Sequence, residues 1–190
     1  MADRQLDVLV ICGSLRKGSY NAALARTLPA LAPAGLKLRP APAFDKFPIY
    51  NHDIQDTTGF PAEVQAWADA IRSADGVIIV SPEYNNGYPG VLKNALDYLG
   101  PKEYQRKPFG IVTVSGGGFG GLHALSQLRL VTLGMGAFPL PASLPFSRAQ
   151  DVFAEDGTLK EPSYEKRADT FIAEVLWFTE AIATQKAKTL

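Results

Sequence analysis

The sequence predicts an α/β protein built as a three-layer sandwich, with helices on both faces of a five-stranded parallel sheet. Short β-branched runs such as Leu6–Cys12 and Gly76–Ser81 alternate along the chain with segments whose apolar residues recur every three or four positions. Of the 190 residues, 46% are apolar and 20% are charged, which is typical of one globular domain, here residues 1–190. Strands and helices that alternate in this way connect through right-handed crossovers and therefore favour a parallel sheet.

The elements are predicted in chain order from their apolar spacing. The strands cover residues 6–12, 36–39, 76–81, 109–115 and 137–140, and the last is weak because prolines interrupt it. The helices cover residues 21–31, 61–73, 89–99, 122–135 and 163–183. Residues 40–58 fit neither pattern and are predicted to form a long irregular segment, of a length that often carries function. We expect the strand order 2-1-3-4-5, in which the chain reverses between the first and third strands.

Charge and composition argue against several classes of partner and location. The 19 basic and 19 acidic side chains balance without runs of like charge, which argues against binding to nucleic acid or to a membrane surface. Charge-free stretches at residues 109–128 and 130–147 are interrupted by glycines or prolines, so neither is predicted to span a membrane. The opening residues, Met1-Ala2-Asp3-Arg4, lack the apolar core of a signal peptide. The single cysteine, Cys12, leaves no internal disulfide and is typical of a cytoplasmic protein.

The loop after the first strand has the composition of a phosphate-binding site. Main-chain N–H groups at a helix start, short polar side chains and a guanidinium can together bind a dianionic phosphate. The candidate residues are Gly13, Ser14, Arg16, Ser19, Tyr20 and Asn21. Leu15 occupies the place of the middle glycine in a dinucleotide motif, and Ser19-Tyr20 stands where a Walker A loop requires Lys-Ser/Thr. The alternative is a strand-to-helix turn in which Ser19 caps the helix.

Two further loops, after the third and fourth strands, suit a flat heterocycle. The first is short, rigid and aromatic, and its candidate residues are Pro82, Glu83, Tyr84 and Asn85. The second is rich in glycine, which permits close approach of a ligand to the backbone, and its candidates are Ser115, Gly116, Gly117, Gly118 and Gly120. The alternatives are an ordinary Pro/Asn/Gly turn and a flexible linker.

The expected strand order brings the three loops together. Each leaves the carboxyl end of a strand beside the switch point, where ligands bind in open α/β sheets. We therefore expect one pocket with a phosphate end and a flat, hydrogen-bonding end, which matches the shape of FMN better than that of a dinucleotide.

With these motifs, the sequence resembles the NADPH-dependent FMN reductase family, which includes bacterial quinone and chromate reductases. The resemblance extends over nearly the whole chain. It rests on Gly13-Ser14-Leu15-Arg16 with Ser19 and Asn21, on Pro82-Glu83-Tyr84-Asn85 with Pro89-Gly90 and Leu92-Lys93-Asn94-Ala95-Leu96-Asp97, and on residues 115–121. It implies a flavodoxin-like fold that binds FMN non-covalently, with the phosphate on the first loop and the isoalloxazine ring on the other two. It also implies a homodimer or homotetramer.

The resemblance further implies transfer of electrons from NADH or NADPH through FMN to small-molecule acceptors. Quinones are the leading acceptors, and chromate, azo compounds, metal ions and free flavin are further candidates. Asn86-Gly87-Tyr88 stands where relatives often carry a serine and an aliphatic residue, so the identity of the acceptor is left open. The preference between NADH and NADPH is left open as well, because the sequence has no dinucleotide motif.

No side chain is expected to act as a catalytic acid or base, because the flavin carries the chemistry, and no metal site is predicted. His52 and His123 are interpreted as solvated histidines, with a position of His123 near the flavin as the alternative. Cys12 is interpreted as a small core residue. One rival function is a non-enzymatic electron carrier like flavodoxin, although such carriers are usually acidic and this chain is neutral. The other is a regulatory module that binds a phosphate or nucleotide without flavin.

The helix predicted at residues 122–135 carries more apolar side chains than a single core-facing stripe requires. We therefore hypothesise that it forms a subunit interface together with the helix at residues 89–99. A helix wholly buried within one chain would give the same pattern.

Overall fold

Five parallel strands form a single sheet in a computed structural model that describes residues 4–154 and 156–189, apart from the side chains of Ile54 and Thr189. They are β1 (Leu6–Cys12), β2 (Leu36–Pro40), β3 (Gly76–Ser81), β4 (Pro108–Val114) and β5 (Phe138–Phe146). Their order is β2-β1-β3-β4-β5, so the predicted topology is confirmed. The residues Met1 to Asp3, on which the expected lack of a signal peptide partly depends, lie outside the described residues.

Eight helices are described, and they lie on both faces of the sheet. They are α1 (Tyr20–Thr27), α2 (His52–Thr58), α3 (Ala62–Ser73), α4 (Gly90–Asp97), α5 (Pro101–Tyr104), α6 (Leu122–Gly134), α7 (Ala149–Val152) and α8 (Pro162–Thr189). A short 3-10 turn, Leu28–Leu31, continues α1. Within the described part of the chain, none of these helices combines the length and apolarity needed to cross a membrane.

The sheet is buried on both faces, which explains why its inner strands are continuous apolar runs. Alternate residues point to opposite sides: Val8 and Val10 pack under α1 and α8, whereas Leu9 and Ile11 pack under α3, α4 and α6. Gly110 lets α8 lie directly on β4, because a Cβ there would come within 2.8 Å of Phe171 Cζ. The three predicted layers are therefore confirmed.

The structure corrects the prediction for several short elements. The helix expected at residues 21–31 ends at Thr27 and continues as the 3-10 turn, where Pro29 lacks the N–H that an α-helix would use. The segment expected to be irregular contains α2, which is capped by the Asn51 side chain. The helices α5 and α7 were not predicted, because four residues are too few to show a helical period. The last helix extends six residues beyond its predicted end at residue 183, along a polar stretch without an apolar stripe.

β5 is longer than predicted and accommodates three prolines. It lies at the edge of the sheet, where an N–H on the outer side needs no partner, so Pro139, Pro141 and Pro145 are tolerated. Its register with β4 shifts between Phe109 and Ile111, which creates a bulge. The guanidinium of Arg129 donates to the carbonyl of Pro141 in this bulge. The prolines made the predicted strand too short, because local sequence does not show that this strand lies at the edge of the sheet.

The long segment between β2 and α3 is held by an aromatic cluster and by one asparagine. Asn94 of α4 accepts a hydrogen bond from the Tyr50 N–H at 2.8 Å and donates one to the Pro48 carbonyl at 2.8 Å. Phe47 and Tyr50 both pack edge-on against Tyr98. Asn94 thus fastens this segment to α4.

Replacing Asn94 with alanine is expected to lower the free energy of unfolding by about 1–2 kcal/mol, because the Tyr50 N–H loses its partner in a partly buried position. Chemical denaturation of the two proteins measures the difference. Lys93→Ala is the matched control, since its exposed ion pair with Asp97 contributes about 0.5 kcal/mol or less. Equal midpoints for the two variants would contradict the role assigned to Asn94.

Candidate functional site

The loop between β1 and α1 turns tightly and presents polar groups at the start of α1. The Ser19 hydroxyl accepts a hydrogen bond from the Asn21 N–H at 3.2 Å, so Ser19 is the N-cap of α1, as the simpler interpretation predicted. The Ser14 hydroxyl accepts from the Arg16 N–H at 3.4 Å. Among the described residues, no side chain or carbonyl pairs with the Arg16 guanidinium, which is exposed. The loop therefore combines an unpaired cation with the positive end of a helix dipole.

Asn21 joins this loop to the fourth strand and keeps one polar atom free. Its amide nitrogen Nδ2 donates to the Val114 carbonyl at 3.3 Å. Its Oδ1 is buried and finds no hydrogen-bond partner within the described part of the protein. A buried polar atom without a partner carries a free-energy cost unless a ligand or solvent satisfies it. The atom is thus available to a ligand at this place.

The loop after β3 is a tight turn built on Asn85 and Asn86. Tyr84 and Gly87 exchange two main-chain hydrogen bonds, of 2.8 and 3.1 Å, across the turn. Asn85 and Asn86 both have positive φ, 49° and 62°, which asparagine adopts more readily than most residues. The Asn86 carbonyl also accepts a hydrogen bond from the Gln127 side chain at 2.8 Å, so the turn is tied to α6.

Glu83 connects the same loop to α6. Its Oε2 accepts from the Ala124 N–H at 3.0 Å, and its side chain is only 15% exposed. The carboxylate therefore satisfies one of the free N–H groups at the start of α6, where Gly121 offers no side chain to do so. His123 Nδ1 lies 3.5 Å from Glu83 Oε1, and the ring is more than half exposed. His123 is thus a largely solvated helix residue, as predicted, but it lies beside a residue of the candidate site.

The glycine-rich loop after β4 is exposed over residues 116–119 and fixed at both ends. Ser115 Oγ accepts from the Gly117 N–H at 3.1 Å, and Thr113 Oγ1 donates to the Gly120 carbonyl at 2.6 Å. Gly121 has a φ of 78°, and a Cβ there would lie 3.0 Å from Thr113 Cβ, so both conformation and space require glycine. These contacts favour a structured loop over the alternative of a flexible linker.

The three loops converge on one small cavity of about 120 Å³ at the carboxyl ends of β1, β3 and β4. It is lined by ten residues of the loops and strand ends together with Ala149: Arg16, Ser19, Tyr20, Asn21, Pro82, Glu83, Tyr84, Val114, Ser115 and Gly116. The cavity has the size of a phosphate group rather than of a whole cofactor. The predicted meeting of the three loops is thus present in the structure.

Six predicted residues do not line this cavity: Gly13, Ser14, Asn85, Gly117, Gly118 and Gly120. Gly13 packs against α4, where a Cβ would be 3.0 Å from Leu92 Cδ2, so packing favours glycine there. Ser14 lines a neighbouring, larger cleft. The others belong to the loops after β3 and β4, where Gly120 is buried and its carbonyl accepts from Thr113 of β4.

Sequence reasoning missed Val114 and Ala149, which also line the cavity. Ala149 reaches the site because its N–H donates to the Ser115 carbonyl at 3.1 Å. Its contribution depends on how the chain returns after β5, and no local pattern signals it. Cys12 was also misjudged: it is partly exposed and not a core residue, because α1 leaves its side uncovered.

These residues fit the cofactor that the sequence analysis predicts. The free Arg16 guanidinium and the start of α1 can hold a phosphate, the unsatisfied Asn21 Oδ1 can accept a hydrogen bond from a hydroxyl group of the cofactor, and the exposed glycine loop leaves room for a flat ring. A parallel sheet of order 2-1-3-4-5 with such a site at its switch point defines a flavodoxin-like mononucleotide-binding protein.

Comparison with known proteins narrows this class. The family model described as NADPH-dependent FMN reductase matches residues 6–151. A quinone reductase of Escherichia coli (strain K12) is 47% identical over 130 residues, 67% of this chain and 69% of that protein. A quinone reductase of Pseudomonas putida is 40% identical over 161 residues, 81% and 84% of the two chains. The solved structure of FerB, a flavoenzyme NAD(P)H:(acceptor) oxidoreductase from Paracoccus denitrificans, is 29% identical, with a TM-score of 0.79 over 93% of this chain and 98% of its own.

The chain belongs to the NADPH-dependent FMN reductase family. The predicted family, fold, activity as an oxidoreductase, and use of FMN with NAD(P)H as electron donor are confirmed. Accordingly, neither a non-enzymatic carrier nor a module without flavin is supported.

Proposed function

We propose that this enzyme passes electrons from NADH or NADPH through FMN to quinones, with chromate, azo compounds, metal ions and free flavin as further candidate acceptors. The observation that carries the proposal is the convergence of three loops on a phosphate-sized cavity, lined by Arg16, whose guanidinium is unpaired within the described residues. Asn21 Oδ1, also unpaired there, can accept from a hydroxyl group of the cofactor. The quinone reductases among the relatives support the choice of acceptor.

The proposed FMN site divides into two parts. The phosphate is held by the first loop, at Gly13, Ser14, Arg16, Ser19, Tyr20 and Asn21. The ring lies against the other two loops, at Pro82, Glu83, Tyr84, Asn85, Ser115, Gly116, Gly117, Gly118 and Gly120. When bound, FMN supplies the ability to take a hydride and to release electrons, which no side chain possesses.

The protein's own contribution is to position the cofactor and to leave one face of the ring accessible. Ser19 and the start of α1 direct N–H groups toward the phosphate. Glu83 holds the loop of residues 82–85 against α6, and the turn at Asn85 and Asn86 keeps that loop rigid. The Phe119 ring is 82% exposed on the glycine loop, where it offers an apolar surface to a flat acceptor.

The proposed assembly is a homodimer or homotetramer formed through α6 and α4. Leu130 is 71% exposed and Leu133 59% exposed on α6, and Val91 is exposed on α4. Burial within the chain therefore does not explain the apolar excess of α6, and a second copy would cover it. Light scattering at micromolar concentration is expected to give at least twice the monomer mass of 20.5 kDa, and a monomeric mass would contradict the proposal. We also propose a cytoplasmic location, because the single thiol suits a reducing compartment.

The absorption spectrum of the purified protein tests the proposed function. Flavin bands are expected that bleach under anaerobic addition of NADH or NADPH and return when a quinone is added. Bands that bleach but do not return with quinone would overturn the choice of acceptor while leaving the flavin site intact. A colourless protein that takes up no added FMN would contradict the assignment of all three loops.

A further inference from the structure

A second cavity, of about 790 Å³, opens beside the candidate FMN site on the other side of the first loop. It is lined by Val10 and Cys12 of β1 and by Phe44, which is buried. No residue of the loops at 82–89 or 115–121 lines it. Its volume lies within the usual range for small-molecule sites, about 300–1,000 Å³. We refer to this cavity as the β2 cleft.

The β2 cleft lies where α1, the 3-10 turn after it and the segment after β2 leave space near the carboxyl ends of β1 and β2. The eight-residue helix α1 packs mainly on β1, β3 and β4, and the 3-10 turn contacts β2. The chain after β2 returns along the cleft as Pro40-Ala41-Pro42-Ala43, and Ala22 and Ala25 face it from α1. Prolines and alanines form flat, rigid walls that leave a slot between them. Such walls favour a flat apolar ligand over a bulky one.

The cleft also contains a cation that the fold does not use. Arg26 of α1 lines it as a solvent-exposed residue, and in the described part of the chain no hydrogen bond or ion pair engages its guanidinium. Burial raises the pKa of the Cys12 thiol and outweighs the opposing effects of its hydrogen bond to the Ser14 main chain and of the Arg26 charge. Cys12 therefore stays a thiol near neutral pH, with its Sγ 3.5 Å from the Ser14 carbonyl. Asp45 adds a negative charge to the cleft lining, which disfavours ligands with two negative charges, such as phosphate monoesters.

We propose that the β2 cleft is a second ligand site that binds an aromatic monocarboxylic acid. The ring lies between the proline and alanine walls above Val10 and Phe44, and the carboxylate pairs with the Arg26 guanidinium. A bidentate pair between arginine and a carboxylate supplies both affinity and orientation. The site does not depend on the electron acceptor of the enzyme, and FMN stays bound while the cleft is filled.

Cys12 is the single cysteine of the chain and lines the β2 cleft, so the rate at which its thiol is labelled reports whether the cleft is occupied. N-Ethylmaleimide, a small uncharged reagent, forms one thioether as the Cys12 sulfur adds to its double bond, and intact mass follows the reaction. The FMN-loaded protein is labelled in the presence of increasing 2-naphthoate, the probe for the proposed class of ligand. Labelling is expected to slow in a saturable manner, whereas the uncharged analogue 2-naphthalenemethanol is expected to protect much more weakly.

Two variants and one control variant assign the protection to the cleft. Arg26→Gln is expected to raise the half-protecting concentration of 2-naphthoate by about tenfold or more, the effect of losing a charged hydrogen bond. Lys37→Gln, which removes an exposed cation outside the cleft, is the matched control and is expected to leave it unchanged. Ala25→Trp is expected to fill the slot and abolish protection. If that variant does not fold, Arg26→Gln alone decides the question.

Several results would overturn the proposal. They are labelling that 2-naphthoate does not slow, equal protection in Arg26→Gln, and equal protection by the uncharged analogue. Release of FMN by 2-naphthoate would show that the probe occupies the cofactor site instead. If the maleimide reacts too slowly to follow, calorimetric titration of 2-naphthoate into FMN-loaded wild type and Arg26→Gln replaces it, and equal or undetectable binding there also overturns the proposal.

Discussion

Replacing Arg16 with alanine is expected to weaken FMN binding about 10- to 100-fold, because a charged hydrogen bond to the phosphate is worth about 1.5–3 kcal/mol. The guanidinium lines the 120 Å³ cavity and has no partner of its own among the described residues, so its removal breaks nothing inside the protein. The fold is therefore expected to be unaffected, and the loss is specific to the cofactor. Titration of FMN into the apoprotein, followed by quenching of flavin fluorescence, measures the change.

Lys17→Ala is the matched control for this experiment. Lys17 is exposed on the same loop but does not line the cavity, so its loss removes only long-range attraction. An effect below threefold is expected, and it should diminish further at high salt. Equal weakening by the two variants would show that Arg16 acts through its charge alone and makes no contact with the phosphate.

The free energy of unfolding is expected to rise by as much as about 3 kcal/mol between pH 8 and 10.5, because of the titration of Lys107. Lys107 is buried at the amino-terminal edge of the sheet, where its Nζ donates to the Ala74 carbonyl at the end of α3. Burial, aided by the nearby charge of Lys186, lowers the pKa of Lys107 from 10.5 to about 8. In that window the unfolded chain holds a proton that the folded chain has released, so raising the pH favours the folded state.

Lys107→Met removes this proton-linked contribution. Urea denaturation of both proteins at pH 7, 8, 9 and 10 is expected to show the wild type gaining stability relative to the variant above pH 8. Lys37→Met, an exposed lysine on β2, provides the control and is expected to show a constant difference. A constant difference for Lys107→Met as well would mean that the buried amine keeps its proton over the whole range. The two predictions concern opposite ends of the sheet, so cofactor binding and this pH dependence can be separated.

The sheet could be predicted from the sequence because its inner strands are buried on both faces. Such strands appear as continuous apolar runs, and Leu6–Cys12 and Gly76–Ser81 were located to the residue. Elements whose existence depends on tertiary contacts were not predicted. The helix α5 begins at a proline that local rules treat as a stop, and β5 follows β4 through a bulge. In both cases the neighbouring structure overrides a local preference.

The candidate site was predictable in its position and less so in its detail. Motif spacing placed three loops at strand ends, and topology brought them together. The sequence could not show that Asn21 would use Nδ2 to tie α1 to β4 and leave Oδ1 free, since that division depends on the distance to Val114. The same holds for Glu83, whose carboxylate joins two segments that are 41 residues apart in the chain.

The prolines of β5 have a consequence for how copies of this protein can associate. An edge strand normally offers a row of unpaired N–H donors onto which a strand of another chain can add. Repeated addition of this kind leads to aggregation into fibrils. Pro139, Pro141 and Pro145 remove donors along this border, and the bulge bends it away from a regular ladder. The sheet is therefore closed to extension on the β5 side. Copies that associate would therefore meet at surfaces other than the β5 edge, and such contacts can form closed, finite assemblies.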